Sequence, residues 1–291
     1  MKRWFPLALI VAAGLAALIA AQYQRVTTQP SPQAILSTVA DAEREVARVP
    51  AHVDRMSDAE EIALGNGLAQ SYESAWKPDQ RSEEAKRVEA YLQALGTSVA
   101  GHATRKLPYR FHYVARPSFV NAFALPGGHV FVGEGLLKLV QSEDALAAVI
   151  GHEVEHVDLR HCAERAETEA NLRHLGLAGD LLSLPINVFT AGYSKDQELE
   201  ADRYGTALAV DAGYSPEGIL QLLDAFGRLE GKTEHGADRS GSPIDEATQV
   251  SLETLQGYLR SHPPAAERKE KIEHLIRSER WPKPTLRPLG L

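Results

Sequence analysis

The sequence predicts an α+β fold: a mainly helical domain with one small β-sheet or hairpin beside its most apolar helix, preceded by an N-terminal membrane segment. Three observations carry this. Apolar residues recur at helical spacing through most of the chain after Ser57. Alternating or continuous apolar runs rich in Phe, Val and Tyr are confined to YRFHYVARPSFVNAFALPGGHVFVG, from Tyr109 to Gly133. A few strands followed by many helices, rather than alternating with them, is the pattern of an α+β domain. With 291 residues and 44% hydrophobic content, the chain can bury a sizeable core.

The elements follow in order. Residues 1–25 place Lys2 and Arg3 ahead of an uncharged run that lasts until Arg25. They form a signal anchor or signal peptide, with the basic end cytoplasmic and the rest of the chain outside. A retained anchor is expected, because Trp4 to Ala21 approaches the roughly 20 residues that span a bilayer and exceeds the usual signal-peptide core. The end of the run, LIAAQ, lacks a clean small-x-small cleavage triplet, and no cysteine is present there to take a lipid. Residues 26–54 read as a linker, 55–280 as the main domain and 281–291 as a C-terminal tail. Ser57-Asp58-Ala59-Glu60 is a capping box that starts a helix running to about Ser74. A second helix follows Pro78, with Val88, Tyr91, Leu92, Leu95 and Val99 on its core face. Pro126-Gly127-Gly128 is a turn signal between strands, which gives a hairpin or short meander. Helices then run from about Ser142 to Asn171, Ser194 to Ala212 and Pro216 to Leu229, with two shorter ones around a polar loop at Gly231 to Glu246.

Charge and cysteine usage narrow the function. A net charge of −8 without any Lys/Arg-rich run argues against a nucleic-acid partner. Cys162 is the only cysteine, so the chain has no intramolecular disulfide.

The stretch AAVIGHEVEHVDLRH, Ala147 to His161, sets two imidazoles and a carboxylate into an otherwise apolar helix. At about 100° per residue, His152 and His156 lie roughly 40° apart on one face, so both rings reach one ion while Glu153 stands beside them. This is the H-E-x-x-H arrangement of zinc hydrolases. With 11 His and 39 acidic residues in the chain, the pentad alone is not diagnostic. Its setting is, because unpaired polar groups in an apolar helix are costly without a function. A third ligand is expected from YSKDQELEADRYG, where Ser194 and Gln197 form a second capping box and Glu198 and Asp202 share a face at i and i+4. Glu198 is taken as that ligand and Asp202 as an acceptor that orients a ligand histidine through its ring N–H. Glu200 points to roughly the opposite side. His161, five residues beyond His156, is rotated well off the ligand face, and His129 reads as a hairpin surface residue.

HEVEH, the ELEAD block, the strand–turn–strand NAFALPGGHVFV and the late SHPPAAER, in that register over about Ser57 to Leu275, together resemble the M48 zinc metallopeptidases. The resemblance implies a zincin-like domain binding one Zn2+ per chain, with His152, His156 and Glu198 as ligands, Glu153 as general base and Asp202 as the accompanying aspartate. It also implies that the loop carrying His262 returns to the active site, where His262 donates to the developing oxyanion or caps the zinc in a resting state. Arg268 supports the same charge or forms a structural ion pair. The edge on which a peptide is held as an added strand is expected at Asn121, Ala122, Phe123 and Ala124 or at Val130 to Val132, and residues 171–193 are either a lid or an ordinary helical hairpin. The expected function is a zinc endopeptidase of the bacterial inner membrane whose catalytic domain faces the periplasm, or a soluble periplasmic one if the signal is cleaved, acting on unfolded or misassembled envelope proteins. The competing reading is a zinc-stapled chaperone or binding module with little proteolysis; Glu153, dispensable in a staple, favours the enzyme.

A C-terminal reporter that works only outside the cytoplasm is therefore expected to be active, and the full-length protein to stay with membranes through carbonate extraction. Release of a mature protein whose N-terminus follows Ala21 identifies a cleaved signal instead.

Overall fold

Helix α1, Asp58–Trp76, starts where the capping box places it: Glu60 N donates to Ser57 Oγ at 3.3 Å and Ser57 N to Glu60 Oε2 at 2.8 Å. This computed structural model describes residues 56–76, 82–172, 184–185, 187–190, 192–234 and 264–291. The expected anchor and linker lie outside those residues, as do 235–263, which hold His262 and most of the polar loop. No helix among the described residues is long and apolar enough to cross a membrane. Helix α2, Glu83–Ala100, is capped by Ser82 Oγ, which accepts from Ala85 N, and buries Leu92, Leu95 and Val99.

Three strands follow: β1 Arg110–Val114, β2 Ala122–Leu125 and β3 His129–Gly133. The Pro126–Gly128 turn joins β2 to β3 as an antiparallel pair with Phe123 opposite Phe131, and Gly127 takes φ 77° there, a conformation that favours glycine. β1, however, pairs parallel with β3, Phe111 opposite Val130, so the order is β1-β3-β2 and the sheet is mixed rather than a meander. Its pleat sorts the side chains between two cores. Phe111, Tyr113, Ala122, Ala124, Val130 and Val132 enter the larger one with α2, while Phe123, Leu125 and Phe131 pack toward α1. His129 sits on this central strand and is buried against α1 instead of lying on a hairpin surface: its Nδ1 is 2.9 Å from His112 Nε2 and its Nε2 3.0 Å from Asn66 Oδ1.

The short helix α3, Glu134–Leu137, leads into α4, Glu143–Asp158, which Ser142 caps. The sequence suggests one helix from Ser142 to Asn171. Two form, because Arg160 takes a left-handed φ of 65° and α5, His161–Leu172, starts in a new direction. Long-range contacts hold the break. Arg160 reaches Asp58 Oδ1 at 2.5 Å and Met56 O at 3.0 Å, and the Asp158 carboxylate accepts from the amides of Thr104 and Arg105 at 2.9 and 2.6 Å. Beside it Glu61, fully buried on α1, takes Arg105 Nη2 at 2.5 Å, Arg160 Nη1 at 3.4 Å and the amide of Gly127 at 3.2 Å. That one carboxylate joins α1, the end of α4 and the β2–β3 turn.

A short helix α6, Asn187–Thr190, precedes α7, Lys195–Asp211, whose capping box is Ser194 with Gln197 as the sequence implies. Helix α8, Glu217–Glu234, and helix α9, Ala265–Glu279, complete the larger core. Residues after Glu279 run back along the domain: the Arg287 amide donates to buried Asp144 Oδ2 at 2.6 Å, and Trp281 and Leu289 pack on the core.

The crossing of α4 and α7 positions everything that follows. A Cβ on Gly151 would fall 2.2 Å from Gly205 O, and one on Gly205 would fall 2.5 Å from His152 N, so the two helices touch backbone to backbone. Only glycine at both positions permits that approach. Gly205→Ala is expected to lower stability by about 1–3 kcal/mol through overpacking, read as a lower urea midpoint at unchanged slope. Equal midpoints would show that the helices can part without cost.

Candidate metal centre

His152 and His156 leave α4 one turn apart on the face that meets α7, and their Nε2 atoms are 3.1 Å apart. Glu198, in the first turn of α7, places Oε2 3.4 Å from His152 Nε2 and Oε1 3.8 Å from His156 Nε2. All three residues are buried, and each offers one donor atom within 4.8 Å of the others. Among the described residues this is the one such group.

The donor set fits a divalent ion of zinc type. Two imidazole nitrogens and a carboxylate oxygen are zinc donors, and tetrahedral bonds of about 2.0–2.1 Å separate donor atoms by roughly 3.3 Å. Electrostatics agree. Burial lowers the pKa of His152, yet the Asp202 and Glu198 carboxylates outweigh it and raise the ring to about 10. A buried imidazole held protonated marks an excess of negative charge at this point, and a bound cation neutralises it as well as a proton does.

Each histidine turns its Nε2 to the triangle and its Nδ1 to a support. His152 Nδ1 lies 2.9 Å from Asp202 Oδ1. Arg268 on α9 grips that carboxylate from behind, Nε to Oδ2 and Nη2 to Oδ1, both at 2.7 Å. Burial would raise Asp202, but the Arg268 guanidinium and His152 hold it well below the usual carboxylate range. Asp202 and Arg268 thus stand where an orienting pair is expected, with Arg268 in an ion pair and away from the donor triangle. Glu153 is buried beside the triangle, and desolvation raises it to about 7 against the pull of His152.

A small cavity opens against this group, lined by Glu153 and His156, by Asn121, Ala122 and Phe123 of the β2 side, and by Phe189, Thr190, Gly192 and Tyr193. β2 lies at one end of the sheet order, with all four of its residues buried, whereas Val130 to Val132 lie on β3, which is paired on both sides and offers no edge. Asn121 Oδ1 is buried without a hydrogen-bond partner. The far wall is the described end of the 171–193 segment.

Sequence reasoning passed over two residues that touch the triangle. Tyr193 stacks on His156 with ring centroids 4.0 Å apart, and its amide donates to Glu198 Oε1 at 2.9 Å. The signal was present: Tyr193 immediately precedes the Ser194 cap and Glu198 is the fourth residue of the helix, the two positions that meet across a helix start. His161 is no donor of the triangle, but its Nδ1 lies 3.0 Å from His156 Nδ1 and its Nε2 3.5 Å from Glu200 Oε2. Glu200 gives no donor to the triangle and is half exposed, but it turns toward His161 rather than to the far side of the helix. Burial lowers His161 to about 4.

A model of peptidase family M48 matches residues 84–276. The chain is 36% identical over 135 residues to mitochondrial metalloendopeptidase OMA1 of Schizosaccharomyces pombe, covering 43% of this chain and 40% of that one. It is 35% identical over 160 residues to a putative beta-barrel assembly-enhancing protease of Vibrio cholerae, covering 47% and 33% respectively. It is 30% identical over 189 residues to metalloprotease LoiP of Escherichia coli, covering 60% of this chain and 72% of LoiP. The chain thus spans less than half the length of the first two relatives and most of the third. With all the residues of the donor triangle and its Asp202–Arg268 support inside the matched span, the chain belongs to peptidase family M48.

Proposed function

We propose that the protein is a zinc-dependent endopeptidase that hydrolyses unfolded or misassembled cell-envelope proteins. The observation that carries this is the buried His152–His156–Glu198 triangle with Glu153 beside it on the same cavity. His152, His156 and Glu198 would hold the zinc, which would supply Lewis acidity to a scissile carbonyl and to a water. Glu153 takes the proton of the attacking water and passes it to the leaving amine, its burial raising its proton affinity above that of an exposed carboxylate. Asp202 accepts the Nδ1 proton of His152 and so keeps Nε2 as its donor, and Arg268 fixes Asp202. Asn121 to Ala124 hold the substrate as an added strand, with Asn121 Oδ1 as a ready acceptor for a peptide N–H. His262, which lies outside the described residues, is proposed as an oxyanion donor or resting-state cap on the family resemblance alone.

The substrate class rests on two supports. Relatives carry the name beta-barrel assembly-enhancing protease, and residues 1–25 read as a signal or anchor that exports the domain. The place of action is accordingly the periplasmic face of the bacterial inner membrane.

Purified protein is expected to contain about one zinc per chain, lost in His152→Ala and His156→Ala and largely lost in Glu198→Gln, by elemental analysis. Asp202→Asn is expected to weaken affinity or activity by about 10–100-fold. Full occupancy in both histidine variants refutes the site. Casein degradation separates enzyme from binding module: Glu153→Gln should keep its zinc and lose most activity, and equal rates in parent and variant would overturn the mechanism.

A further inference from the structure

The two ligand histidines are supported unequally. Behind His152 stands a buried carboxylate clamped by a guanidinium; behind His156 stands another imidazole, His161, 4% exposed. On a straight helix, five residues beyond His156 would point roughly 140° away from it. The two rings meet because the chain breaks at Leu159 and Arg160, so that α5 folds its first residue back over the last turn of α4. The rings lie edge to face with centroids 5.2 Å apart, and Tyr193 closes one side.

The hydrogen bonds allow one arrangement compatible with a metal. For His156 to present a lone pair at Nε2, its proton must sit on Nδ1, and that N–H points at His161 Nδ1, 3.0 Å away. His161 accepts only if its own proton is on Nε2, which faces Glu200 Oε2 at 3.5 Å. The opposite order, His161 donating to His156, puts a proton on His156 Nε2, 3.1 Å from His152 Nε2, and removes a donor from the triangle. The tautomer of His161 therefore decides whether His156 can ligate.

We propose that His161 is a positioning residue: its Nδ1 accepts the hydrogen bond from His156 Nδ1–H and so holds His156 as an Nε2 donor. This rests on the zinc reading of the triangle. A neutral imidazole does here what Asp202 does for His152, without adding a further negative charge to a cluster that already holds Glu153, Glu198 and Asp202.

The test measures zinc affinity of the full chain by competition with a chelator, alongside the melting temperature of metal-stripped protein. His161→Leu removes the acceptor and is expected to weaken affinity about 10–100-fold, the usual cost of losing such support, with the metal-stripped melting temperature little changed. His161→Asn offers its side-chain oxygen near the position of Nδ1 and is expected to restore affinity to within a few-fold of the parent. Should His161→Leu fail to fold, His161→Ala against His161→Asn makes the same comparison. Parent affinity in the variant without an acceptor, or equal weakening in both variants, overturns the proposal while leaving the zinc reading standing. A parent chain that takes up no zinc overturns both.

Discussion

Two helices touch backbone to backbone at Gly151 and Gly205, and the donor triangle depends on that contact. Side chains reach a fixed distance from their helix, so the gap between donors on α4 and the donor on α7 is set by how near the axes come. His152 follows Gly151 directly. Asp202 and Glu198 lie about one and two turns before Gly205. With any side chain at the crossing, the 3.4 Å and 3.8 Å separations between Glu198 and the histidines would widen. The rest of the domain steers the same two helices: Asp144 ties the start of α4 to the Ser215 amide before α8 and to the Arg287 amide near the C-terminus, at 2.7 and 2.6 Å.

The crossing gathers charges that would not otherwise share a buried space. Desolvating Glu153, Glu198 and Asp202 together is unfavourable unless cations answer them. Arg268 answers Asp202 through a two-point guanidinium contact, the geometry that arginine supplies and lysine does not. The remaining carboxylates are Glu198, 3.4 and 3.8 Å from the two Nε2 atoms, and Glu153, buried beside them. Stability and chemistry are thus coupled: the charge that makes burying the cluster unfavourable is the charge that would retain a dication.

Much of this was legible in the sequence because it is local. Capping boxes at Ser57 and Ser194, the turn at Pro126 to Gly128 and the i, i+4 spacings of His152–His156 and Glu198–Asp202 are all written within five residues. The illegible features are those decided at long range. No Gly or Pro marks the break at Leu159 and Arg160; contacts with Met56 and Asp58, about a hundred residues earlier, impose it. Without that break, His161 reads as facing away. Alternation shows that β1 is a strand but not which neighbour it takes, so the parallel pairing with β3 and the burial of His129 were hidden. Gly151 and Gly205 were visible letters whose meaning needed the other helix.

The buried carboxylate of Glu61 bears on where the working unit begins. The family match starts at residue 84, after α1 has ended. A fragment cut at that boundary would strip the Arg105 guanidinium and the Gly127 amide of their Glu61 partner, a destabilising loss. It would also remove the helix that covers Phe123, Leu125 and Phe131. A stable recombinant fragment should therefore start ahead of Met56, whose amide donates to Glu167 Oε1 and whose carbonyl accepts from Arg160. Homology marks where the shared chemistry is encoded; the physical unit that can carry it in isolation is about thirty residues longer at that end.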